Sequence, residues 1–186
     1  MSEITISNGK NATITGGSPG PAAQQWGGWF FVMGAGIVAL AAALRMLFIA
    51  KYEVWLDEAY CFAVARKSIG AIFTDLASDN GPPLYYIALH YWMKAFGDGP
   101  TALRSLSVVF SVATVAVVLA WSTPWFSRRA RLLAGFALAI TPLGIYYAQE
   151  ARMYAPVAFF ALLSMVFLER ALRTDSVGSW GLFAVT

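Results

Sequence analysis

Residues 82–97, PPLYYIALHYWMKAFG, decide how the rest of the chain is arranged. The stretch is apolar enough to enter a bilayer. Its apolar part, Leu84 to Phe96, is however only about 13 residues and would reach about 20 Å, against a hydrocarbon layer of about 30 Å. A short re-entrant or interfacial helix over 84–96 is therefore expected, and not a membrane crossing. Pro82 and Pro83 suit its first turn, and Gly97 suits its C-terminal cap. Tyr85, Tyr86, Tyr91 and Trp92 suit the membrane surface, where amphipathic rings prefer to lie.

The composition around this stretch points the same way. Of 186 residues, 59% are AVILMFWYC and only 12% are charged, against about 25% charged in soluble domains. A chain this small cannot hide so much apolar surface from water, so lipid must cover the remainder. Four segments are long enough to cross: 27–49, 103–126, 132–149 and 153–172. Arg45, near the end of the first, is expected to snorkel to the headgroups. Residues 179–186 would begin a fifth. The apolar stretch from Trp26 to Ala50 is too long for a signal-peptide core, so it reads as an uncleaved first helix. Residues 1–25, polar and without an apolar period, read as a disordered cytoplasmic tail, with a sequon at Asn11-Ala12-Thr13. The membrane domain is then 26–186.

Low charge and seven Trp exclude a disordered chain and a nucleic-acid partner despite the net charge of +3. Cys61, the only cysteine, excludes an intrachain disulfide. His90, the only histidine, excludes a two-His metal site from this chain and reads as a hydrogen-bonded structural residue.

If 84–96 does not cross, the loop 50–102 and the turn 149–152 share one face. The tail, the loop 127–131 and the residues after 172 share the other. Arg128, Arg129, Arg131, Arg170 and Arg173 crowd the second face, whereas the long loop holds only Lys51, Arg66, Lys67 and Lys94. This density favours a cytoplasmic tail and an extracytoplasmic loop. Within the loop, 57–68 and 68–77 read as surface helices ahead of the breaker run Ser78-Asp79-Asn80-Gly81-Pro82-Pro83.

Two polar clusters fall on the loop face: Asp57-Glu58 in WLDEAY and Glu150 with Arg152 in YYAQEARMYA. Taken singly, Asp57 can be a helix N-cap with Glu58 complementing the dipole, and 149–152 a solvated turn. Taken together, a carboxylate able to act as general base and a guanidinium able to bind a lipid phosphate meet the two needs of glycosyl transfer from a lipid phosphate. Tyr146, Tyr147 and Tyr154 read as interface anchors.

WLDEAY, DNGPPLYYIALHYWMKAFGD, TALRSLSVVFSVATVAVVLAW, a basic turn and TPLGIYYAQEARMYAPVAFFALLSMVFLERAL follow one another at spacings that resemble the N-terminal part of the C-type membrane glycosyltransferases. The chain is similar to the bacterial dolichyl-phosphate-mannose protein mannosyltransferase-like group, and the likeness runs from about residue 30 to the end. The resemblance implies a polyprenyl-phosphate-sugar donor, an extracytoplasmic acceptor hydroxyl and inversion, at the bacterial inner membrane. It implies Asp57 as catalytic base and Glu58 as its support or as a holder of metal. It further implies Glu150 as a binder of acceptor or donor, Arg152 as the donor-phosphate ligand, and Pro82, Pro83, Leu84 and Tyr85 as the family's Pro-Pro-Leu-Tyr segment, with Pro83 and Tyr85 at the substrate. A divalent metal stays open. Many members carry His where this chain has Gly81. Relatives usually carry eight or more membrane helices, so the chain is expected to be the front of a longer enzyme or a half that needs a partner.

The expectation is thus an all-α integral membrane protein with four spanning helices and short juxtamembrane helices. Two rival classes stay open: a non-catalytic membrane subunit packing in a larger complex, and a small transporter. The transporter is disfavoured by the lack of mid-span charge in the second to fourth helices.

Overall fold

The computed structural model describes residues 21–51, 53–77 and 81–186, the first seven by backbone alone. The tail expected over 1–25 lies outside the described residues as far as residue 20, as does the Asn11 sequon. Its last residues belong to the first helix. Among the described residues every regular element is helical: α1 (Pro21–Met46), α2 (Leu56–Ala65), α3 (Ile69–Leu76), α4 (Pro83–Phe96), α5 (Pro100–Ala120), α6 (Arg128–Ile140), α7 (Pro142–Ala148), α8 (Tyr154–Thr174) and α9 (Val177–Val185).

Three of these are long and apolar enough to cross a membrane: Gly28–Met46 of α1, α5 and α8. A fourth is available if α6 and α7, bent by 58° at their junction, act as one broken span. The chain is an all-α integral membrane protein. At 14 residues α4 extends about 21 Å, short of a crossing. It opens with Pro83, whose missing N–H costs nothing in a first turn, and closes on Gly97 at φ 91°, a conformation glycine adopts without strain.

The helices form two packed layers. α5 sits centrally against α1, α4, α6, α7 and α8, and α9 packs on α8. Ile37, Ala41, Val115, Leu119 and Ala139 join α1, α5 and α6. The helices α2 to α4 build a separate core on the first turns of α5, with Cys61, Val64, Ile72, Tyr86, Leu89, Met93, Leu103 and Leu106 inside it. Burial of each large aliphatic here contributes roughly 1.5–3 kcal/mol. Polar ties fix the register of this layer. Trp92 Nε1 donates to the Ser105 hydroxyl at 3.0 Å and to Ala102 O at 3.2 Å. His90 Nδ1 lies 2.7 Å from Ala65 O, one of the carbonyls that the end of α2 leaves unpaired. His90 is thus a satisfied structural residue.

Two expectations from the sequence change. The span expected over 132–149 is broken at Thr141, which is extended (φ −60°, ψ 120°), because Pro142 has no amide to offer Leu138 O. The α6 part begins at Arg128, so the arginines expected in a loop occupy its first turn. Arg45, expected to snorkel outward, instead turns inward and is only 2% exposed. Its guanidinium takes up the carbonyls stranded by that break: Nη2 donates to Leu138 O at 3.1 Å and Nη1 to Ala139 O at 2.9 Å, while Nε donates to the Ser111 hydroxyl at 2.7 Å. In lipid an unpaired carbonyl is costly, so the charge is drawn to it.

The α5–α6 contact depends on a missing side chain. A Cβ at Gly135 would lie 2.6 Å from Leu119 Cδ2 and 2.8 Å from its Cγ. Gly135→Ala is expected to destabilise the fold by about 1–3 kcal/mol through overpacking. Most of the loss should return in the Gly135→Ala/Leu119→Val double variant, read by unfolding in detergent micelles.

Candidate functional site

The site forms where the first turn of α2 meets the α7–α8 turn. Consecutive residues on a helix point about 100° apart, so the acidic pair that opens α2 divides its tasks. Asp57 faces solvent, its side chain 69% exposed, and pairs with Arg152 Nη1 at 3.3 Å. Glu58 turns inward. Its carboxylate accepts from Arg104 Nε at 2.9 Å and Nη2 at 2.7 Å, from the Ala151 amide at 2.8 Å, and from the Trp55 amide at 3.3 Å. The Glu58 and Arg104 side chains are each 3% exposed. Burial alone would raise the Glu58 pKa. The Arg104 bonds and the two amides outweigh it and hold the carboxyl below its ordinary range. Asp57 is therefore not an N-cap: α2 starts one residue earlier, and Glu58 closes the cap by reaching back to the Trp55 amide.

Arg104 is the functional-site residue that sequence reasoning passed over. Its signal was present: a cation one turn inside an otherwise apolar span. It binds Ile49 O at 2.7 Å and Glu53 O at 3.0 Å as well as Glu58, joining α1's exit, α2 and α5. The 149–153 turn is fixed from three directions. Gln149 Nε2 donates to Leu47 O at 2.7 Å and Arg45 O at 3.1 Å, Glu58 takes the Ala151 amide, and Ser107 Oγ donates to Arg152 O at 3.3 Å. Arg152 is thereby held against Asp57, with its guanidinium 5.7 Å from the Tyr154 ring centre.

Two cavities share this ion pair as a wall. One, of about 360 Å³, is lined by Tyr60, Cys61, Gly81, Tyr85, Tyr86 and Met153 together with Asp57 and Arg152. The other, of about 410 Å³, lies on the α7 side with Trp55, Tyr146, Tyr147, Glu150 and Tyr154. Tyr85 and Met153 also edge a third, mainly apolar groove of about 520 Å³ between α4 and α8, where Leu84, Phe110, Val157 and Phe160 lie. Among the described residues the Tyr85 hydroxyl is buried without a partner at hydrogen-bonding geometry, although Ser107 is close by. Its burial raises the phenol pKa well above the ordinary value, so it stays an O–H donor at neutral pH.

Five of the six residues singled out from sequence are therefore brought to one region, while Pro83 stands in the first turn of α4, two residues before Tyr85. A Cβ at Gly81 would meet Leu76 and Tyr86 side-chain atoms at 3.0 Å, so a histidine would not fit there without moving them. Among the described residues no three His, Cys, Asp or Glu side chains converge. Both Glu58 oxygens are already engaged. The described residues thus bring together no metal-binding set of their own.

Comparison with known proteins adds the family. No curated protein and no solved structure matches the chain. The family model for dolichyl-phosphate-mannose-protein mannosyltransferase matches residues 80–186. That span is more than half of the 186 residues and holds Pro83, Tyr85, Arg104, Glu150 and Arg152, with Asp57 and Glu58 ahead of it. With this match and an all-helical membrane architecture, the chain belongs to the dolichyl-phosphate-mannose-protein mannosyltransferase family of membrane glycosyltransferases.

Proposed function

We propose that the chain provides the site at which a sugar is transferred, with inversion, from a polyprenyl-phosphate donor to an acceptor hydroxyl at the extracytoplasmic membrane face. The observation that carries this reading is the Asp57–Arg152 pair at 3.3 Å, which walls two cavities, one of them meeting a mainly apolar groove at Tyr85 and Met153. The isoprenoid chain suits the groove, and the phosphate suits Arg152. The Tyr85 hydroxyl at the junction supplies a neutral donor to the phosphate. The arginines at positions 128, 129, 170 and 173 occupy the opposite end of the bundle, which supports the orientation.

Asp57 is exposed, Arg152 is partly exposed and the pair has a single contact, so separating it costs little, about 1 kcal/mol. A donor phosphate takes Arg152 bidentately and releases Asp57. The acceptor oxygen then attacks C1 of the sugar while the C1–O bond to phosphate breaks. Asp57 takes the hydroxyl proton, and the bonding pair leaves with polyprenyl phosphate, whose added charge Arg152 balances. Glu58 and Arg104 act through position only.

The test uses the protein in nanodiscs with polyprenyl phosphate as ligand and labelled polyprenyl-phosphate mannose as donor. Arg152→Ala is expected to weaken lipid-phosphate binding by roughly 10- to 100-fold. Asp57→Asn should leave binding within about threefold and lower transfer by about 100-fold or more. Wild-type affinity in Arg152→Ala would remove the phosphate role, and wild-type turnover in Asp57→Asn would remove the base.

A further inference from the structure

The end of the bundle away from Asp57 carries a cavity that glycosyl transfer leaves unused. Trp121 lies at the far end of α5 from Arg104, which at 1.5 Å per residue sets the two about 25 Å apart and puts Trp121 at the other membrane surface. There a cavity of about 180 Å³ is lined by Val118, Trp121, Phe126, Arg131 and one face of α6. Ala130, Ala134 and Leu138 recur on that face at the helical four-residue interval, so an apolar groove runs about 12 Å inward from the surface. Among the described residues three buried side-chain polar atoms lack a hydrogen-bond partner, and two of them, Trp121 Nε1 and Arg131 Nε, belong to residues of this lining. Each unmet buried donor costs about 1–3 kcal/mol, so two at one cavity call for an acceptor. The rest of the Arg131 guanidinium is engaged, Nη1 donating to Leu119 O at 3.1 Å and the central carbon lying 4.8 Å from the Phe30 ring centre. Among the described residues Arg128, Arg129 and Arg131 have no carboxylate at ion-pair distance.

We propose that this cavity seats the phosphodiester of an anionic phospholipid, with one acyl chain lying in the Ala130–Ala134–Leu138 groove. A phosphodiester has two non-bridging oxygens, one for each orphaned donor, and hydrogen bonds to a charged acceptor are the stronger kind. Water answers the two donors poorly. A water accepting from both would need acceptors for its own hydrogens, and the side chains of Val118, Phe126, Ala130, Ala134 and Leu138 offer none. Size excludes a ligand held entirely inside, since ordinary small-ligand clefts measure about 300–1,000 Å³. The occupant is therefore part of a larger molecule whose remainder lies in the bilayer. Its net charge follows from the three arginines, which attract an anionic headgroup and repel the cation of a zwitterionic one. Exposed Trp125 and Phe126 beside them suit the same headgroup level.

The experiment titrates the protein in detergent micelles with phosphatidylglycerol, phosphatidylcholine and inorganic phosphate, and counts retained lipid by native mass spectrometry. Wild type is expected to hold one phosphatidylglycerol saturably, about tenfold or more tighter than phosphatidylcholine, and millimolar phosphate should not displace it. Trp121→Phe keeps a ring but removes the indole N–H, and should weaken phosphatidylglycerol about tenfold. Ala134→Leu fills the groove from an exposed position that the fold can accommodate, and should abolish the saturable adduct. Unfolding without added lipid confirms that both variants are folded, and a variant that is not leaves the other decisive. In the double variant Arg128→Gln/Arg129→Gln the single adduct should persist, with reduced preference for the anionic lipid. The proposal is overturned if phosphatidylcholine binds as tightly as phosphatidylglycerol, or if both folded single variants bind like wild type. Loss of the adduct in the double arginine variant alone would reduce the site to diffuse surface charge. Displacement by inorganic phosphate would make it a free-anion site and overturn the lipid assignment.

Discussion

Arg104→Met is expected to cost about 3–5 kcal/mol of folding stability, because it strands the Glu58 carboxylate in a buried position. Glu58→Gln/Arg104→Met should recover a large part, since an amide can still accept from the Ala151 amide without carrying an unpaired charge. The pH dependence gives a second readout. In wild type the Glu58 pKa is depressed in the fold. Its stabilisation is then fully present above the unfolded carboxylate value, about 4.3, and is lost as pH falls through the lower folded value. Arg104→Met removes the main lowering cause and leaves burial opposed only by the Ala151 and Trp55 amides, so the folded pKa should rise and the acid-side loss of stability should shrink. Unfolding in detergent between pH 3 and 7 checks both slopes. An acid-side loss of the same size in the variant as in wild type would show that Arg104 does not hold the Glu58 charge.

The second large effect is expected at Arg45. Arg45→Met leaves Leu138 O, Ala139 O and the Ser111 hydroxyl without their donor. At about 1–3 kcal/mol for each unmet buried group, a loss of several kcal/mol is expected, with Arg45→Lys intermediate. Pro142→Ala in the Arg45→Met background returns an amide to Leu138 O, so part of the stability should come back as α6 runs on through residue 141. Lipid-phosphate binding should not come back with it. The 58° bend aims α7, and with it Gln149 to Arg152, at the exit of α1 and the start of α2. Hydrogen exchange at the Ala151 amide, which Glu58 protects at 2.8 Å, reports that geometry without an activity assay. A double variant that regains stability, Ala151 protection and binding together would show that Arg45 fills a cap and nothing more.

The helical membrane class was legible from composition and segment length, and α4 from its Pro-Pro start, its apolar reach of about 13 residues and its Gly97 end. The break at Pro142 was also written in the chain. It was read as an uninterrupted span because apolar character over 132–149 says nothing about whether Leu138 O finds a donor. Asp57 and Arg152 could be placed on one face by parity, but parity cannot bring two residues 95 positions apart to 3.3 Å. That contact needed Glu58 to bind the Ala151 amide, and Glu58 needed Arg104 to keep its charge in a buried place.

Local information thus determined where lipid must replace water, which helix is too short to cross, and which charges are available for chemistry. These follow from apolar length and residue type, and a chain carries both whatever its neighbours are. Tertiary structure alone decided which acid faces solvent and which is buried, that Arg45 points inward to the carbonyls of a broken helix, and that three surface-seeking tyrosines wall a cavity with Glu150. Those outcomes depend on which donor meets which acceptor across distant helices. In a low-dielectric interior, an unmet polar group costs more than any local preference can supply.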